Sequence, residues 1–217
     1  QNTTSDGAET AFEFLDRTSI IYKGQNAIDG GKFAFEFVVP KDISYNDGEG
    51  RIVLFANSGD GQRQINGVSG GVEFNGTGNL PLDSIGPSVF CYLNTPSFAN
   101  GDKVNATPYF MAEIYDESGI NATGTGIGHD MTLVIDGSPA MTYNLNDSFS
   151  FDYGSYQSGK VGFAIPTLAT GSHKLMFRSW DVLNNSSVAE LSFVVDDKLA
   201  PGVYDIAATD NPVRSTT

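Results

Sequence analysis

The sequence predicts an all-β protein of two β-sandwich modules, the second immunoglobulin-like with seven strands, and three observations carry that prediction. Short stretches of alternating apolar and polar residues recur along the chain, bounded by Gly, Pro, Asn or Asp, as half-buried antiparallel strands require. The composition is that of aromatic strands and glycine turns, with 15 Phe and 25 Gly among 217 residues and only 18% charged residues. Finally, residues 171–196 read as two strands about a polar turn. Leu175, Phe177 and Ser179 alternate with Lys174, Met176 and Arg178, and Ala189, Leu191, Phe193 and Val195 alternate with Val188, Glu190, Ser192 and Val194. The turn at 181–187 is rich in Asp, Asn and Ser, whose short side chains bond nearby backbone amides. A lone hairpin is marginal in water, so other strands must cover its apolar face.

Residues 1–82 form the first expected module. Residues 11–23 predict one or two strands, carrying Phe12, Phe14 and Leu15, then Ile20, Ile21 and Tyr22. After the Gly30-Gly31 turn, KFAFEFVVP sets Phe33, Phe35, Phe37 and Val39 on one strand face, and Pro40 removes the next ladder donor. RIVLFANS is too continuously apolar to have a solvent face and is expected to be buried on both sides. A further strand is expected around Val72 to Phe74. Four or five strands would make an incomplete sandwich, whose further partners are expected upstream of Gln1.

A linker with two prolines, NLPLDSIGP, leads into the second module, residues 83–197. Its seven strands are predicted at 88–93, 108–116, 130–136, 141–145, 160–165, 172–180 and 188–195, the count and size of an immunoglobulin-like sandwich. Alternation turns Val89, Cys91 and Leu93 inward, with Phe110, Ala112 and Ile114 on the second strand and Met131, Leu133 and Ile135 on the third. Residues 198–217 hold two prolines and no sustained periodicity, and read as a linker plus the start of a truncated C-terminal domain.

Twelve basic residues against 26 acidic ones give a formal charge of -14, which repels phosphate backbones and anionic lipid. No run approaches the ~20 apolar residues of a membrane helix, and Gln1 opens a polar stretch with no apolar leader, so the chain looks like a processed piece. Cys91 is the only cysteine, which excludes an internal disulfide and fits bacterial origin.

A thiolate nucleophile needs a neighbouring base, and Cys91 has none in its surroundings; at an inward strand position it reads as a small hydrophobe. His173 reads as an ordinary turn histidine at an exposed strand end. With His129 it supplies no zinc spacing. In an immunoglobulin-like sandwich the second-to-third and sixth-to-seventh strand loops share one pole. That brings together Asp116, Glu117, His129, Asp130, Asp181, Asn184 and Asn185, close to the linker, as an inter-domain joint. Calcium takes such carboxylate and amide oxygens, but Asp and Asn also cap loops by bonding backbone amides, and caps are the reading the sequence favours. Asp42, Asp47 and Glu49 pose the same choice. Tyr109, Tyr115, Tyr143, Tyr153, Tyr156 and Trp180 offer a sugar-binding platform, but half-buried strand aromatics are the plainer account.

The ordered succession VPKDISY, GRIVLFA, GPSVFCYLN, TPYFMAEIYDESGIN, GIGHDMTLVIDG, LND and SWDVLNNSS resembles the non-catalytic C-terminal region of the PorU family, gingipain-related (C25-type) sorting cysteine peptidases of the Bacteroidetes type IX secretion system. The resemblance spans about residues 22–197. ATDNPVRSTT resembles the start of a type IX C-terminal domain, usually Tyr-Pro-Asn-Pro, with Thr209 and Asp210 in place of Tyr and Pro. Asp83-Ser84-Ile85 resembles a Bacteroidetes O-glycosylation site. The resemblance implies a parent that removes sorting signals from secreted cargo and transfers the cargo to lipopolysaccharide. Its Cys/His dyad belongs to an upstream caspase-like domain that nothing here matches, so no catalytic residue carries over. This segment would brace that domain and link it to a C-terminal domain held by outer-membrane machinery at the cell surface, with cargo as partner through the parent. The alternative is a surface adhesion or carbohydrate-binding module, since fold does not fix function.

Overall fold

Alternation alone makes extended chain; a ladder needs a second backbone alongside, and the two halves of this protein differ in whether they find one. A computed structural model describes residues 2–3, 12–13, 20–41, 48–74, 78, 82–124 and 128–199. Strands β1 (Asn2–Thr3) and β2 (Phe12–Glu13) pair with each other, as do β3 (Gly48–Asn57) and β4 (Gln64–Phe74). The sandwich follows, with β5 (Ser88–Leu93), β6 (Lys103–Val104), β7 (Tyr109–Tyr115), β8 (Thr132–Ile135), β9 (Thr142–Asn144), β10 (Phe149–Phe151), β11 (Ser158–Ala164), β12 (Gly171–Trp180) and β13 (Ser186–Val195). One sheet has the order β10-β11-β7-β5 and the other β6-β13-β12-β8-β9. All pairs are antiparallel except β6, which runs parallel to β13.

Period two decides which side chains the sheets enclose. Cys91, Leu93, Phe110, Ala112, Ile114, Met131, Leu133, Ile135, Leu175, Phe177, Ser179, Phe193 and Val195 are all buried, and Val89, Ala189 and Leu191 pack partly buried beside them. The predicted inward sets are thus the core. Phe110 and Phe177 join the sheets, their ring centroids 5.3 Å apart. Burying such a side chain contributes about 1.5–3 kcal/mol, which is why the alternation fixes the register.

All seven predicted strands of this half are present, with ends shifted by a residue or two. Two short strands, β6 and β10, fell below the length at which alternation shows. Pro139 opens a 3₁₀ turn, Pro139–Met141, which delays β9 to Thr142.

The first half departs further from expectation. Residues 20–23 and 33–39 are in no strand; Phe14 and Leu15 lie outside the described residues. An isolated bridge, Asp29 to Lys32, spans Gly30 and Gly31, whose φ values of 55° and 78° suit glycine. Beyond it Phe33, Phe35 and Phe37 do share one face, stacked at 6.3 and 6.2 Å, but with no partner strand among the described residues. The segment lies against the sandwich instead. Tyr22 stacks on Phe37 at 5.0 Å and meets Phe151 at 5.1 Å, its hydroxyl donates to the Ser155 carbonyl, and the Gly154 amide donates to the Gln25 carbonyl.

Strand β3 is not buried on both sides. It forms a two-stranded ribbon with β4, on which Val53 is 63% and Phe55 67% exposed. Its apolar run reflects a ribbon with apolar residues on both faces, not a central strand. The expected strand at 72–74 extends back to Gln64. Gly71, at φ 81°, is the extra residue where the register shifts between Gly50 and Arg51.

Candidate functional site

Antiparallel order places the start of β5, the end of β7 and the β12–β13 turn at one pole. Three carboxylates converge there, with one oxygen each of Asp83, Asp116 and Asp181 within 4.8 Å of one another. Asp181 follows β12 and is fully buried; its Oδ1 accepts the amides of Leu183 and Asn185 at 2.9 and 2.7 Å, and its Oδ2 accepts Asn185 Nδ2 at 2.7 Å. Asp116 follows β7, also buried, and its Oδ1 caps the amides of Ser118 and Gly119 at 2.8 and 3.1 Å. Asp83, in the linker, accepts the Ile85 amide on Oδ1 and the Ser118 hydroxyl on Oδ2. Short acidic side chains at strand ends make these caps because their oxygens reach amides two to four residues on.

Burial pushes the Asp116 carboxyl up to about 6, and the neighbouring charges of Asp181 and Asp83 add to it. Asp181 is raised for the same first reason, with Asp83 adding. Asp83 goes the other way, held low by the Ser118 hydroxyl and the Ile85 amide. The group can relieve its repulsion by keeping a proton or by gathering a hard cation. Most of its oxygens are already committed to amides and hydroxyls, which favours the proton. Asp116 Oδ2 takes no hydrogen bond among the described residues.

Backbone contacts bind the pole into one joint. The Asn121 amide donates to the Trp180 carbonyl (2.9 Å) and the Val182 amide to the Gly119 carbonyl (3.0 Å). The Asn185 Nδ2 also donates to the Asp83 carbonyl at 3.2 Å, clipping the linker to the turn. Gly86 lies so close that a Cβ there would sit 2.5 Å from the Ser186 carbonyl carbon. The segment before β3 docks here too, its Lys41 amide donating to the Val182 carbonyl at 2.8 Å.

Of the residues singled out from the sequence, Asp116 and Asp181 are in the cluster and Asn185 bridges it to the linker. Glu117 contributes only its carbonyl, to Gln157 Nε2. Asp130 stands apart, beside Gly124, and His129 packs on Trp180 with the rings tilted by 54° and their centroids 4.4 Å apart. Asn184 takes the left-handed conformation at φ 72°, and its buried Oδ1 has no hydrogen-bond partner among the described residues. Asp83 was not among the acidic candidates; its signal is the Asp-Ser-Ile turn, in which a carboxylate caps the amide two residues on. Asp42 and Asp47 lie outside the described residues, and Glu49 sits on the ribbon opposite Glu73.

The remaining candidates lie outside the carboxylate cluster. Cys91 is buried and its thiol is pushed up to about 12 by that burial. His173 is no ordinary turn histidine: its Nδ1 meets Asp136 Oδ2 at 2.7 Å, its Nε2 meets the Ala169 carbonyl at 2.8 Å, and its ring stacks on Phe193. The tyrosines do not assemble into one platform. Tyr143 packs on Phe163, Tyr156 covers Gly119 and Tyr109 covers Gly162. Trp180 lies under Arg178, whose guanidinium is 5.9 Å from the ring centroid. No helix among the described residues is long and apolar enough to cross a membrane.

No protein-family model and no curated protein matches the chain. Among solved structures it is similar to dimeric latent PorU from Porphyromonas gingivalis, with 41% identity and a TM-score of 0.55 over 76% of this chain and 16% of that one. An endo-beta-1,4-mannanase from Thermotoga petrophila matches 51% of this chain and 20% of its own at 10% identity, and its TM-score of 0.33 carries no argument. Identity at that level across three quarters of an all-β chain makes this protein a PorU-related region, one that corresponds to a small part of PorU's length.

Proposed function

We propose that this chain is a non-catalytic β-sandwich portion of a PorU-like sorting peptidase of the type IX secretion system, bracing an upstream catalytic domain and linking it to a C-terminal domain at the outer membrane. The observation that carries the reading is the 41% identity to latent PorU. The joint supports it: linker, preceding segment and β12–β13 turn are fastened by Asp83, Lys41 and Asn185, as a brace requires. The residues also fit a non-catalytic role. A nucleophilic cysteine needs a lowered pKa and a base in reach, whereas Cys91 is buried with its thiol raised. On this reading the parent is a gingipain-related cysteine peptidase that works exported, at the cell surface. Its partners are outer-membrane type IX components and secreted cargo.

The test has two arms. The isolated chain should leave peptides spanning a type IX C-terminal signal uncut. In the parent, Asp83→Ala combined with Asn185→Ala should lower the amount of processed cargo at the surface while hydrolysis of a small peptide persists. Cleavage by the isolated chain that survives Cys91→Ala, or normal cargo processing by a parent lacking residues 88–195, would overturn the proposal.

A further inference from the structure

The outer face of the β10-β11-β7-β5 sheet holds a feature that bracing does not use. Two cross-strand rows lie side by side on it: Ser88, Tyr115 and Ser158 in one, Phe90, Glu113 and Lys160 in the next. Residues so paired stand about 5 Å apart on one face. Phe90 and Tyr115, diagonal to one another, are each 53% exposed. Beside them the serines are small, which leaves a shallow groove of about 320 Å³ reaching Asp152. Lys160 Nζ lies 3.7 Å from Glu113 Oε1, with both side chains about half exposed. Tyr92 stands beside the same carboxylate, and its phenol is raised by burial first and by the Glu113 charge second.

We propose that this groove binds a neutral saccharide. A sugar ring has an apolar C–H face and a rim of hydroxyls that both donate and accept. The first matches the exposed rings of Phe90 and Tyr115. The second needs a carboxylate acceptor and an ammonium donor at fixed spacing, which Glu113 and Lys160 provide, with serine hydroxyls beside them. An anionic ligand meets the field of a chain with formal charge -14. A purely apolar partner strips water from Glu113 and Lys160 with nothing to replace it. The volume is at the lower end of small-ligand sites, roughly 300 Å³, so the groove takes one or two sugar units of a longer glycan.

The experiment is saturation-transfer NMR on the whole chain with short neutral oligosaccharides of glucose, mannose and galactose. Transfer to ring C–H protons is expected for at least one sugar. Affinity should fall about tenfold, ~1.4 kcal/mol, in Phe90→Ala and in Tyr115→Ala. Phe55→Ala, an exposed aromatic on the ribbon, should leave it unchanged. Glu113→Gln keeps both rings and the side-chain shape, so its loss of binding tests the polar half even if an aromatic variant folds poorly. No transfer from any sugar overturns the proposal. So does transfer undiminished in Tyr115→Ala and Glu113→Gln, or capture of a peptide in the groove with sugars excluded.

Discussion

His173 Nδ1 lies 2.7 Å from Asp136 Oδ2, and the other ring nitrogen lies 2.8 Å from the Ala169 carbonyl, so both nitrogens face acceptors. Only the doubly protonated imidazolium donates to both. Burial favours the neutral ring, but the Ala169 carbonyl and the Asp136 carboxylate outweigh it and raise the histidine. Asp136 is likewise opposed by burial, yet held low by the Lys174 amide and His173.

The pH dependence follows in sign. A raised histidine contributes stability that is complete below its unfolded pKa, about 6.5, and is lost as pH rises through the folded value. A lowered aspartate contributes above about 3.9 and is lost as pH falls through its depressed value. The His173–Asp136 pair therefore contributes most between about pH 4 and 6.5. His173→Ala should flatten the decline in stability above pH 6.5, by less than about 1 kcal/mol since Asp136 is well solvated. Urea midpoints measured across that range check it.

Asp116 works at lower pH. Its carboxyl is raised to about 6, so the folded state holds a proton that the unfolded chain releases near 3.9, and stability falls as pH climbs between those values. Asp116→Asn keeps the Oδ1 cap while removing the charge. It should stabilise the protein by about 1–3 kcal/mol at pH 7.5 and by almost nothing at pH 4. Addition of calcium or of a chelator should leave the melting temperature of the unsubstituted chain unchanged. A calcium-dependent rise in that temperature, abolished in Asp116→Asn, would replace the shared proton with a cation.

Asp181→Ala removes acceptors from the amides of Leu183 and Asn185 and from Asn185 Nδ2 inside a buried turn. Leaving those donors unpaired should cost about 2–4 kcal/mol. Hydrogen exchange should quicken first at residues 181–185, and with them at the linker that Asn185 holds.

Phe177→Ala and Phe55→Ala separate core from ribbon. The first empties the contact with Phe110 and should cost about 3–5 kcal/mol. The second alters a side chain that is two-thirds exposed and should fall within about 0.5 kcal/mol. Chemical denaturation of the two variants decides it.

Cys91 should resist thiol reagents at pH 8 in the folded chain, since its thiol is raised to about 12, and react at once in denaturant. Timed labelling in the two conditions gives the ratio.

The sandwich was legible because burial acts at period two: Leu175, Phe177 and Phe193 announce both their strands and their inward face. The β3 run misled for a physical reason. Val53 and Phe55 are as apolar as core residues, and sequence cannot say whether a second layer covers them. Phe33, Phe35 and Phe37 gave the right face but no ladder, because pairing depends on a distant backbone. At the pole, topology brought Asp116 and Asp181 together from the sequence. Asp83 escaped because a linker's path is set by contacts such as that from Asn185, which no local pattern records.

One consequence of the strand directions is mechanical. β5 and β13 both start at the pole with the joint, so the chain enters the sandwich there and leaves past Val195 at the other end, about 33 Å away for a strand of ten residues. Tension between those ends pulls along the strands. The ten register pairs of β12 with β13 then share the load in shear and fail together, where a turn pulled from the side would unzip one bond at a time. In the linking role proposed above, a module strung this way would rest its resistance to force on the hairpin at 171–195.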